Sequence, residues 1–103
     1  MVNVGLIYEE MRSTLQLLEM VENKFSKEYK SLTIGGQRCF MSENGTVFYF
    51  VVLKPFRSMV VEYANNVEEA KAFLFEDGDQ FDIDQSFEKL VNDIQMEILN
   101  EVA

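Results

Sequence analysis

Between Thr46 and Lys54 the chain reads VFYFVVL, an unbroken apolar run from Val47 to Leu53. A β-strand sends alternate side chains to opposite faces, so a strand with no polar position needs cover on both. The run is too short for a helix and too rich in β-branched and aromatic residues to favour one. It is the expected central strand, and the rest of the chain must supply the layers around it.

The chain before that strand opens as a helix. Ile7, Met11, Leu15, Leu18, Val21 and Phe25 recur at steps of three or four, with Leu17 and Met20 widening the stripe and Glu9, Glu10, Arg12, Ser13, Gln16, Glu19 and Glu22 opposite. Asn3 is the expected N-cap. The apolar run lasts under three heptads, so the face is expected to pack on a core rather than in a coiled coil.

After Phe25 the period changes to two. Tyr29 to Ile34 alternates, Gly35-Gly36 suits a two-residue hairpin turn, and Gln37 to Ser42 returns. Gly35-Gly36 lacks the Lys and Ser/Thr of a P-loop and the third glycine of a dinucleotide fingerprint. Glu43-Asn44-Gly45 is a second turn, leading into the central strand. Lys54-Pro55 ends that strand, because proline has no N–H for the ladder. Arg57 to Ala64 then returns as a fourth strand.

The expected fold is therefore α+β: a four-stranded antiparallel meander over about 29–64, with long amphipathic helices at both termini packed on one sheet face. Met59, Val61 and Tyr63 share one side of the fourth strand; Ser58, Val60 and Glu62 share the other, just as Leu32 and Ile34 oppose Ser31 and Thr33. The second face still carries Tyr49 and Val51, so a short local helix, a partner subunit or a bound target must cover it. Tyr49 and Val51 mark it as a self-association face, and a homodimer is expected.

Asn65-Asn66 is expected to cap a short helix from Val67 to about Ala72, with Glu68 and Glu69 at its positive end. A second hairpin is expected at about 73–83, turning at Asp77-Gly78, with a continuous helix from Val67 to Phe75 as the alternative. Asp84 or Ser86 then caps a last helix with the stripe Phe87, Leu90, Val91, Ile94, Ile98 and Val102. This order of elements resembles that of small acidic chaperone-type domains of secretion systems, which implies dimerisation through a sheet or helix face.

At 103 residues and 48% hydrophobic, the length fits one domain, 1–103, able to close a core. The first residues show no basic, apolar leader pattern, and no window reaches the about 20 apolar residues of a membrane span. A cytoplasmic protein is expected, and the single cysteine, Cys39, agrees with a reducing compartment.

Chemistry is narrowed by what is missing. With no histidine, neither Ser-His-Asp nor Cys-His catalysis nor a histidine zinc site is available. One cysteine excludes cysteine clusters and a Cys-x-x-Cys pair, and Cys39, mid-strand beside Phe40 and Met41, reads as a small core residue. The aromatics are not interleaved with basic residues as in base-stacking platforms. No enzymatic activity, cofactor or metal site is expected.

The segment Glu76 to Asp84, EDGDQFDID, carries Glu76, Asp77, Asp79, Asp82 and Asp84 and no base. With Asp77 as position 1 of a calcium loop, Asp79 falls at 3 and Glu88 at 12, but Phe81 stands at 5 and Asp82 where glycine is required. A carboxylate-based divalent-metal hydrolase would need further acids converging from elsewhere. Residues 1–61 hold six acids and seven bases, whereas 62–103 hold twelve acids and two bases. Such a field repels nucleic acid and anionic membranes and favours a basic protein partner. The expectation is a non-enzymatic acidic interaction module, of binding, inhibitor, immunity or chaperone type, with these five carboxylates as its docking patch. A structural or regulatory homodimer and the metal hydrolase are the alternatives.

Overall fold

A computed structural model describes the backbone of residues 4–102 and the side chains of residues 14–102. The expected cap Asn3 and the stripe residues Ile7 and Met11 lie outside the described residues or side chains. The order is α1 (Val4–Phe25), β1 (Lys30–Ile34), β2 (Gln37–Met41), β3 (Val47–Leu53), a 3-10 turn (Lys54–Phe56), β4 (Ser58–Ala64), α2 (Val67–Lys71), β5 (Glu76–Asp82) and α3 (Phe87–Glu101). The fold is α+β, with three helices and one antiparallel sheet in the order β1-β2-β3-β4-β5.

Local signals set the first four strands. Gly35 and Gly36 turn β1 into β2 with φ of 57° and 80°, a left-handed pair that glycine adopts without a Cβ penalty. After β3, Pro55 sits in the 3-10 turn, and Arg57 closes it in the left-handed region. β3 and β4 pair along their whole length, from Val47 opposite Ala64 to Leu53 opposite Ser58.

The expected hairpin at 73–83 is corrected. Residues 76–82 form one strand, β5, paired with β4 from Tyr63 opposite Glu76 to Ser58 opposite Asp82, so Asp77-Gly78 lies inside a strand. An unpaired β4 edge offers non-local hydrogen bonds that a two-stranded local hairpin would forgo. The helical alternative to Phe75 also fails, because α2 ends at Lys71 and Phe73 takes φ of 58°. The short helix begins as expected: the Asn66 side chain accepts a hydrogen bond from the Glu69 N–H.

One sheet face carries Phe40, Phe48, Phe50, Met59, Val61 and Tyr63, buried with Val21 and Phe25 of α1 and with Leu90, Val91, Ile94 and Ile98 of α3. Ser86 caps α3 by accepting from the Lys89 N–H. Along α1 the buried stripe is shifted: Leu15 is 64% exposed, Thr14 is buried in its place, and Glu22, expected on the polar side, is 8% exposed beside Arg38. The sheet pleat puts Ile34 and Leu32 on the second face, with Cys39, Val47, Tyr49, Ala64, Ala70 and Phe75. That face is therefore covered in part by the chain itself, through α2 and the segment leading into β5.

Candidate functional site

The acidic segment forms an edge of the sheet. β5 pairs only with β4, and Glu76, Asp77, Asp79 and Asp82 are exposed along it. None of these four is in an ion pair among the described residues. Asp84 differs: it lies past the strand end and accepts from Arg57 Nε at 3.1 Å and Arg57 Nη2 at 2.5 Å. That hydrogen-bonded guanidinium holds the Asp84 carboxyl below its ordinary range. The Ile83 N–H also donates to the Arg57 carbonyl, so Arg57 and Asp84 fasten the end of β5 to the start of β4. Four of the five predicted patch residues thus share the strand, and the fifth serves its anchorage.

Two further carboxylates, which sequence reasoning does not single out, flank the strand. On the second face, Tyr49, Glu62 and Asp77 stand in one cross-strand row. Burial pushes the Glu62 carboxyl up; a hydrogen bond with Tyr49 opposes this, while a hydrogen bond with Asp77 and the Asp77 charge add to it. Tyr49 itself is raised by burial and by its carboxylate neighbour. On the helix side, Glu97 of α3 accepts from the Tyr63 hydroxyl at 2.8 Å and from the Asp79 N–H. Burial raises Glu97 as well; the hydrogen bonds from the Asp79 N–H and the Tyr63 hydroxyl oppose that, while the Asp79 and Glu101 charges add to it. Its carboxylate lies over Gly78, where a Cβ would stand 2.7 Å from both oxygens, so a side chain there would push that carboxylate aside. Glu62 was legible as an outward residue of β4, but its partner Asp77 was hidden by the hairpin expectation. Nothing marks Glu97 in the sequence beyond a place beside the buried stripe.

The predicted self-association residues fall on the second face. Tyr49 meets the ring of Phe75 edge-on, with centroids 4.8 Å apart, and Val51 is half-buried. Beside them is a cavity of about 80 Å³ lined by Ile34, Gln37, Cys39, Tyr49, Phe73 and Phe75. Cys39 is buried there, and burial raises its thiol, the reverse of what a nucleophile needs.

A larger cleft of about 730 Å³ opens at Tyr29, Lys30, Met41, Asn44, Leu99 and Val102. Two of its polar groups are already engaged: Asn44 donates to the Val102 carbonyl at 2.7 Å and Gln95 to Glu28 at 3.1 Å. Among the described residues no group of three or more His, Cys, Asp or Glu is placed to hold a metal ion. Nor is any described helix long and apolar enough to cross a membrane. Comparison with known proteins finds no matching family model, no matching curated protein and no matching solved structure.

Proposed function

We propose that the protein is a non-enzymatic interaction module, an inhibitor, immunity or chaperone-type protein, that docks a basic protein partner along β5. The observation that carries this reading is the run of Glu76, Asp77, Asp79 and Asp82 on an open sheet edge, without an ion pair among the described residues. A strand edge offers backbone hydrogen bonds to an incoming segment, and its carboxylates select one that is basic. Glu62 beside Asp77, and Glu97 among Asp79 and Glu101, crowd like charges around the same strand. Lysine or arginine side chains arriving there relieve that repulsion, which raises both encounter rate and specificity.

The same carboxylates also guard the edge against pairing with other strands, a role they would have in any acidic protein. A homodimer on the face of Tyr49 and Val51 is the lesser reading, since Phe75 already lies on Tyr49.

The test replaces Glu76, Asp77, Asp79 and Asp82 with their amides and identifies what the natural and the substituted chain each retain from the cell of origin. A basic protein retained by the natural chain, released by rising salt and lost by the substituted one supports the reading. Equal retention of every partner overturns it.

A further inference from the structure

Phe73 is one of two non-glycine residues with positive φ among the described residues, at 58°. Left-handed backbone at a bulky residue is unfavourable and persists where the surroundings impose it, frequently at ligand clamps. Phe73 gains little burial in return, being 69% exposed, and Leu74 beside it is 60% exposed. Two consecutive large apolar side chains in water, directly before an acidic strand, are not explained by the core.

What the left-handed turn achieves is a position. It lays the Phe73 ring against Gly35, where a Cβ would meet Cζ at 2.9 Å, so that the ring walls the 80 Å³ cavity. That volume is several times what one water needs; its lining is mostly apolar, and its one amide, Gln37, already donates to the Arg38 carbonyl. Tyr49, one wall, begins the row that continues through Glu62 to Asp77 of β5. The cavity and Asp77 of the acidic strand therefore share one sheet face, apolar at one end and anionic at the other. Protein hot spots have this composition, an apolar pocket for one anchoring side chain with a polar rim around it.

We propose that the cavity beside Phe73 is the anchor point of the partner interface: it takes one aliphatic side chain of an extended, basic protein segment whose lysine and arginine side chains continue past Glu62 and Asp77 onto β5. This rests on the reading of β5 as a docking edge and adds to it the requirement for an apolar residue. Charge complementarity fixes the occupant, because an acidic segment would be repelled along the row.

The test is an NMR titration of the full chain with two probe peptides, KVKVKVK and KSKSKSK, of equal charge and length. The expected result is about tenfold tighter binding of the valine peptide, with shifts at Gly35, Gly36 and Phe73 to Phe75 as well as at 76–82. Phe73→Gly removes the ring at a backbone angle that glycine prefers, so the fold is retained. It is expected to abolish the valine advantage while leaving the serine peptide unaffected. Equal affinity of the two peptides, with shifts confined to 76–82, overturns the anchor and leaves the acidic docking edge standing. Binding of neither peptide overturns both.

Discussion

The hydroxyl of Tyr63 on β4 donates a 2.8 Å hydrogen bond to Glu97 Oε2 on α3, joining sheet and helix through a carboxylate with no basic partner among the described residues. The other Glu97 oxygen accepts the Asp79 N–H, so one side chain ties three elements together. Tyr63→Phe keeps the ring in the core and removes one donor from a partly desolvated carboxylate. A loss of about 1–2 kcal/mol is expected in urea unfolding.

Gly78→Ala tests the same clamp from β5. A Cβ 2.7 Å from the Glu97 oxygens forces that side chain away and breaks its hydrogen bonds. The substitution is expected to cost about 1–3 kcal/mol in the natural chain. In a Glu97→Ala background the added cost should shrink to the small intrinsic difference between the residues. An unchanged cost in both backgrounds would mean that the close approach is not what keeps glycine there.

Phe50 and Asp79 should respond very differently to substitution. Phe50 is 2% exposed and its ring meets those of Phe25, Phe40 and Phe48 at centroid distances of 5.3, 5.6 and 5.9 Å. Phe50→Ala opens a cavity in the centre of the core, with an expected loss of about 3–5 kcal/mol. Asp79 contributes its backbone N–H to Glu97, while its residue is exposed. Asp79→Asn keeps that N–H, and denaturation should detect almost no change.

These contrasts also indicate which parts of the molecule could be read in advance. The central strand, the Gly35-Gly36 and Asn44-Gly45 turns, the break at Pro55 and the caps at Asn66 and Ser86 depend on neighbours in sequence, and each stands where local chemistry requires. β5 does not follow local rules. Asp77-Gly78 carries a strong turn signal, but β4 offered an open ladder across the intervening α2, and pairing with it buries Phe81 part-way against the helices. The acidic patch was visible as composition; its conversion into an exposed edge, with Glu62 and Glu97 beside it, depended on that pairing.

Helix α1 gives the same lesson on a smaller scale. Leu15 fits a three–four stripe as well as Leu18, yet the helix is rotated so that Thr14, Val21 and Phe25 are buried while Leu15 faces water. Periodicity locates a stripe, and the surface it packs on decides where its margin falls. Leu15→Gln is therefore expected to change stability by less than about 0.5 kcal/mol, whereas Phe25→Ala should cost about 3–5 kcal/mol. Equal losses in thermal or urea unfolding would place Leu15 in the core after all.

The crowded carboxylates give stability a pH dependence of definite sign. Glu62, Glu97 and Glu22 each have a folded pKa above 4.5, chiefly through burial. The native state therefore holds protons that the unfolded chain has already released. Stability falls with rising pH wherever the native state binds more protons, so this contribution is present below 4.5 and is lost as pH rises through the folded values. Asp84 acts the other way, because its folded pKa is depressed; its contribution is lost on acidification below the normal aspartate range. The ion pair is exposed, so screening keeps it small. The natural chain should therefore unfold at a higher urea concentration near about pH 5 than near about pH 7.5. Glu97→Gln and Glu62→Gln, which fix the uncharged form, should each flatten that slope. A midpoint that rises from pH 5 to 7.5 would show instead that favourable partners for the charged carboxylates outweigh their burial.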